Sequence, residues 1–192
     1  MRISLSPRRR RVPSAPLVRG AATVISALAA ALGTWVRLPG MVLAGVTPNW
    51  PLMWVVAWSV NRPIWQSAIA GVAVGLVQDG LTQAQPTHAI SLALVGIATA
   101  RLQKNRYVRE DFVSVALIVF GMTAIAETIL AVQWVLMMMW LENSHVFWES
   151  LSGIWQTYQS VTLSSAILSS LWTPLVYVPL NWIWHKPTGA QE

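Results

Sequence analysis

Apolar residues fall in long blocks along this chain, at about residues 16–36, 48–61, 63–81, 87–102, 111–141 and 161–184, divided by short polar or basic stretches. A membrane span needs about 20 apolar residues, so the blocks predict an all-α integral membrane protein, a compact six-transmembrane-helix bundle. Ahead of the second block, Thr47 can cap a helix whose first residue is Pro48, where a missing N–H costs nothing. With Pro51 in its early turns, this helix should run to about Asn61, or about 20 Å, short for a hydrocarbon core of about 30 Å. The apolar run 38–46 before it is expected in the outer interface or dipping into the protein. Arg62-Pro63 marks a sharp turn, and 82–86 a short loop. The fifth block, at about 30 residues, must tilt or project above the bilayer. Residues 142–160 read as a loop with Trp148 and Trp155 seven residues apart, the pattern of a short amphipathic helix on the outer surface. Pro174 and Pro179 should kink the sixth span.

Inside this pattern the third block carries a stripe of small residues. Helical spacing places Ala68, Gly71, Gly75 and Asp79 on one face. The fourth block has its own stripe, Ala89, Ala93, Gly96 and Ala100, so the two helices should form a closely packed antiparallel hairpin. Val74 is expected on the lipid side. A carboxylate within a span costs about 2.5–3.5 kcal/mol on insertion scales, so Asp79 needs a partner or a use.

Composition narrows the class further. Apolar residues make up 55% of the chain and charged ones 10%, outside the range of an ordinary soluble domain. The net charge is +6, yet the basic residues gather at the amino terminus and in one loop. With six spans, Arg37 alone among the thirteen Lys and Arg falls on the side opposite the termini. The positive-inside rule then makes both termini cytoplasmic. The charge therefore points to phospholipid, at about 1 kcal/mol per basic side chain near the surface, and away from nucleic acid. Residues 1–15, with four arginines between Pro7 and Pro13, read as a cytoplasmic tail, 16–185 as one membrane domain, and 186–192 as a second tail. A signal peptide is the rival reading of the first block, with its basic start and small residues at 29–31. Cysteine is absent, which excludes a disulfide framework and thiolate chemistry.

Four residues are candidates for a site. Asp79 follows Arg62 by about 25 Å of helix, and Glu127 follows Asp111 by a similar length, so both should lie at one level in the outer half. His88 and Gln85 begin the fourth span nearby. One reading is a polar pocket open to the periplasm; the other is two separate carboxylates, each hydrogen-bonded locally. Trp50, Trp54 and Trp58 form a stripe assigned to the interfacial belt. The run Met137, Met138, Met139 reads as lipid-facing filler. No phosphate loop, HExxH, GxSxG or Ser/His/Asp arrangement occurs, and His88, His145 and His185 lie too far apart in sequence for a metal cluster. No cofactor or metal is expected.

The order of features resembles the bacterial rod shape-determining protein MreD family. The likeness rests on Thr47-Pro48-Asn49, the Asn61-Arg62-Pro63 turn, the Gly75-Leu76-Val77-Gln78-Asp79 helix end, and Leu92-Ala-Leu-Val-Gly96 followed by a basic loop. The chain departs at Pro86-Thr87-His88, where the family usually has a glycine–apolar pair. The resemblance implies a non-enzymatic scaffold of the cell-elongation complex in peptidoglycan synthesis. Its partners would be MreC, and MreB and the peptidoglycan synthases directly or indirectly. The family fold is also similar to the substrate-binding subunit of energy-coupling-factor transporters, which supplies the alternative of a vitamin-type binding subunit. An intramembrane enzyme has only Asp79, Glu127 and His88 in its favour.

Overall fold

The computed structural model describes residues 15–36, 42–43, 45–83, 85–104, 112–141 and 144–185. Among them the chain is all-helical: α1 (Ala15–Gly33), α2 (Trp50–Ser59), α3 (Ile64–Thr82), α4 (His88–Lys104), α5 (Phe112–Leu141) and α6 (Ser144–His185). The expected tails at 1–14 and 186–192, the 105–111 loop, Arg37 and Glu142 fall outside the described residues.

The shortest helix is the centre. α2 touches each of the other five helices and is apolar almost all round, the composition of a helix enclosed on every side. Leu52, Val55 and Val56 have no exposed surface. Around them lie Val74 from α3, Leu92 and Val95 from α4, Tyr177 and Leu180 from α6, and a stripe from α5. That stripe, Val115, Val119, Met122 and Ala126, has the spacing of one helix face. Three buried hydroxyls return to their own helices: Thr99 donates to the Val95 carbonyl, Thr123 to that of Val119 and Thr173 to that of Ser169. Short side chains satisfied in this way let helices approach without a stranded polar group.

Four expectations change. First, Asn49 and not Thr47 caps α2, which starts at Trp50 with Pro51 in its second position. The Asn49 side chain accepts from the Leu52 N–H at 3.1 Å, and its own N–H donates to Ser169 Oγ of α6 at 2.9 Å. That tie to α6 fixes Asn49 at the helix start, and Thr47 lies outside it. Second, the tryptophan stripe packs inward. Trp54 is buried, donates to Ser26 Oγ of α1 at 3.0 Å, and stacks on Trp58 with centroids 5.6 Å apart. Trp50 lies against Trp172 of α6 at 6.2 Å. A central helix has no interfacial face for a belt to occupy.

Third, Val74 is 4% exposed and belongs to the core; the outward positions of α3 are Trp65, Ile69, Val72 and Leu76. α2 packs on the side of α3 next to the glycine stripe, which makes the inward face wider than the stripe alone. Fourth, residues 144–160 are helix continuous with the sixth block, so α6 begins at Ser144 and not near 161. Pairing along α5 extends the helix beyond its apolar stretch. In the 38–46 run, Leu43 and Val46 exchange backbone hydrogen bonds around Gly45, and Val42 and Leu43 are exposed.

Outward faces are apolar. Leu117 on α5 and Leu171 on α6 are among the most exposed side chains, and α1 presents Val24, Ile25 and Leu32. Two stretches, Val113–Trp140 and Tyr158–Trp182, are long and apolar enough to cross a membrane.

Candidate functional site

α3 and α4 meet at backbone distance. A Cβ built on Gly71 would stand 2.6 Å from the Leu92 carbonyl carbon, and one on Gly75 2.7 Å from the Ala89 nitrogen. One on Gly96 would stand 2.5 Å from the Ser67 carbonyl oxygen. Real Cβ atoms do not come so close, so glycine is required at all three positions. Ala89 is buried in the same seam, while Ala68 and Ala93 are half-buried beside it.

This contact delivers Asp79, near the carboxyl end of α3, to the amino end of α4. Thr87 Oγ1 donates to Asp79 Oδ2 at 2.5 Å. The His88 N–H donates to both carboxylate oxygens, at 2.9 and 3.1 Å. His88 Nδ1 lies 2.7 Å from Oδ1, and since a carboxylate accepts, the ring proton belongs on Nδ1. Thr87 Oγ1 in turn accepts from the Ala89 N–H at 3.2 Å. The first amides of α4 would otherwise lack acceptors, and a negative charge at that end of a helix is favourable. Asp79 thus caps the next helix from the previous one. α3 itself ends at Thr82, and the following Gln83 turns left-handed and donates its N–H to the Asp79 carbonyl at 2.8 Å.

Of the four candidates, Asp79 and His88 are in direct contact. Glu127, on α5, is hydrogen-bonded to Ser165 of α6 and lies within electrostatic reach of His88. Gln85 sits exposed in the turn before α4. Three cavities lie elsewhere, and Asp79, His88, Glu127 and Gln85 line none of these three. Thr87 and Ser165 were missed. For Thr87 a signal existed, since threonine directly before a helix start is a common amide acceptor. Ser165 carries no such mark. Thr87 and His88 supply the three donors to Asp79.

Chemically, the cluster holds helix ends in place. Each Asp79 oxygen faces a donor, which leaves the carboxylate committed to the turn. Among the described residues no group of three metal-ligating side chains comes together. In comparisons with known proteins, the chain matches no family model, no curated protein and no solved structure.

Proposed function

We propose that this chain is a six-span protein of the bacterial inner membrane, both termini cytoplasmic, acting as a non-enzymatic scaffold in an MreD-like role. Its direct partner is MreC, and through it MreB and the peptidoglycan synthases of the elongation complex. The membrane part of this reading is supported by outward apolar faces and by the two stretches long enough to cross. α1, α3 and α4 supply the remaining spans around the short α2.

The observation that carries the scaffold reading is the Asp79 cap. It accounts for the intramembrane carboxylate by hydrogen bonds within the α3–α4 turn, with no ligand required. The test is co-purification of the full chain in mild detergent. Recovery of a periplasmic cell-wall protein with MreC character is the expected result. Recovery of an ATPase module together with a stoichiometric vitamin would overturn the scaffold in favour of transport.

A further inference from the structure

Two cavities meet at Trp65. One is an apolar groove of about 370 Å³ between α1, α2 and α3, lined by Leu28, Trp58, Trp65, Ile69 and Val77 among others. Its neighbour, about 630 Å³, lies at the α2–α3 turn against Asn61, Arg62, Pro63 and Ile64. Trp65 lines both and is 63% exposed, at the rim where they join.

Arg62 links the two chemically. Its guanidinium carbon lies 4.2 Å from the centroid of the Trp58 ring, and Trp58 stacks nearly parallel on Trp54, with 9° between the planes. Both rings line the groove. A guanidinium held over an indole ring still carries N–H donors in its own plane, which can grip a phosphate as a fork. Among the described residues the acidic ones are Asp79, Glu127 and Glu149, and none of them lines either cavity. The mouth is thus positive and the groove apolar.

Length fits the same occupant. On α3 the groove runs from Trp65 to Val77, twelve residues or about 18 Å, close to one leaflet's share of a hydrocarbon core of about 30 Å. We infer that this surface seats one anionic phospholipid, its phosphate on Arg62 in the mouth and an acyl chain along the groove between α1 and α3. The inference rests on the membrane reading above and adds to it a specific ligand. It also gives the Arg62 guanidinium, held over Trp58 at an exposed turn, an anionic partner.

The experiment is native mass spectrometry of the full chain released from nanodiscs holding equal phosphatidylglycerol and phosphatidylethanolamine. Wild type should retain one phosphatidylglycerol with about fivefold preference, the equivalent of one basic contact. Arg62→Gln should remove the preference. Ala73→Phe, on the exposed wall of the groove, should lower retention of both lipids with the thermal midpoint unchanged. Equal retention of the two lipids by wild type, or undiminished preference in Arg62→Gln, would overturn the site while leaving the membrane reading intact. A dimer mass abolished by Ala73→Phe would also overturn it, by showing a second copy on the groove. Recovery of the protein in solution without detergent would remove the membrane reading itself, and the site with it.

Discussion

Asp79 shows why the type of partner matters as much as its presence. Thr87 Oγ1, the His88 N–H and His88 Nδ1 all donate to it, so the position calls for two acceptors. Asparagine keeps one acceptor for His88, and its amide can donate to Thr87 Oγ1 once that hydroxyl turns. Asp79→Asn should therefore fold with a loss of about 1 kcal/mol, the charge assistance alone. Asp79→Leu removes the acceptor of all three donors at the start of α4 and should cost about 3 kcal/mol. Thr87→Val, which removes a donor to Asp79 and the acceptor of the Ala89 N–H, should fall between them at about 1–2 kcal/mol. Thermal unfolding in detergent measures all three, and equal losses for Asn and Leu would refute the cap. Spacing alone reveals that Asp79 lies on the small-residue face. Its partners depend on how the 82–87 turn folds back, which periodicity does not encode.

For the α3–α4 hairpin, the decisive quantity is the space beside each glycine. Gly75 has none, while a Cβ on Gly80 of the same helix would meet nothing within 4 Å. Gly75→Ala should destabilise by about 1–3 kcal/mol through overpacking against Ala89. Gly80→Ala should instead stabilise by up to about 1 kcal/mol, because alanine is the better helix former and nothing opposes it. The sign difference between two identical substitutions five residues apart is read from melting curves, and a shared sign would count against the seam. The stripe was legible because small residues at helical spacing have one strong meaning in apolar helices. α2 was not. A helix buried on every side shows no amphipathic period, so its tryptophans resemble belt residues until their neighbours are known. The start of α6 was hidden for a different reason: polar residues such as Ser152 and Gln156 mask a helix that a partner helix sustains.

At the scale of the whole molecule, helix length tests the topology. α5 has 30 residues and α6 has 42. At 1.5 Å per residue these are about 45 and 63 Å, both beyond a hydrocarbon core of about 30 Å. The apolar stretch of α6 begins at Tyr158, so the turns from Ser144 onward should stand clear of the bilayer on the outer side, alongside the end of α5. Natural absence of cysteine lets single cysteines report the side. With both termini cytoplasmic, as proposed, membrane-impermeant thiol reagent applied outside should label Gln83→Cys in the α3–α4 turn and Ser152→Cys on the α6 extension. Ser14→Cys and Asn105→Cys should stay protected, because the proposed orientation puts them on the side to which the positive-inside rule assigns twelve of the thirteen Lys and Arg. If 142–160 lay flat in the interface, Leu151→Cys and Ser152→Cys would differ sharply, one facing acyl chains and one facing water. A helix standing clear of the bilayer exposes both to the reagent over successive turns, so labelling that alternates strictly between apolar and polar positions from 144 to 157 would refute the projecting hairpin. Labelling at Ser14 or Asn105 would refute the orientation.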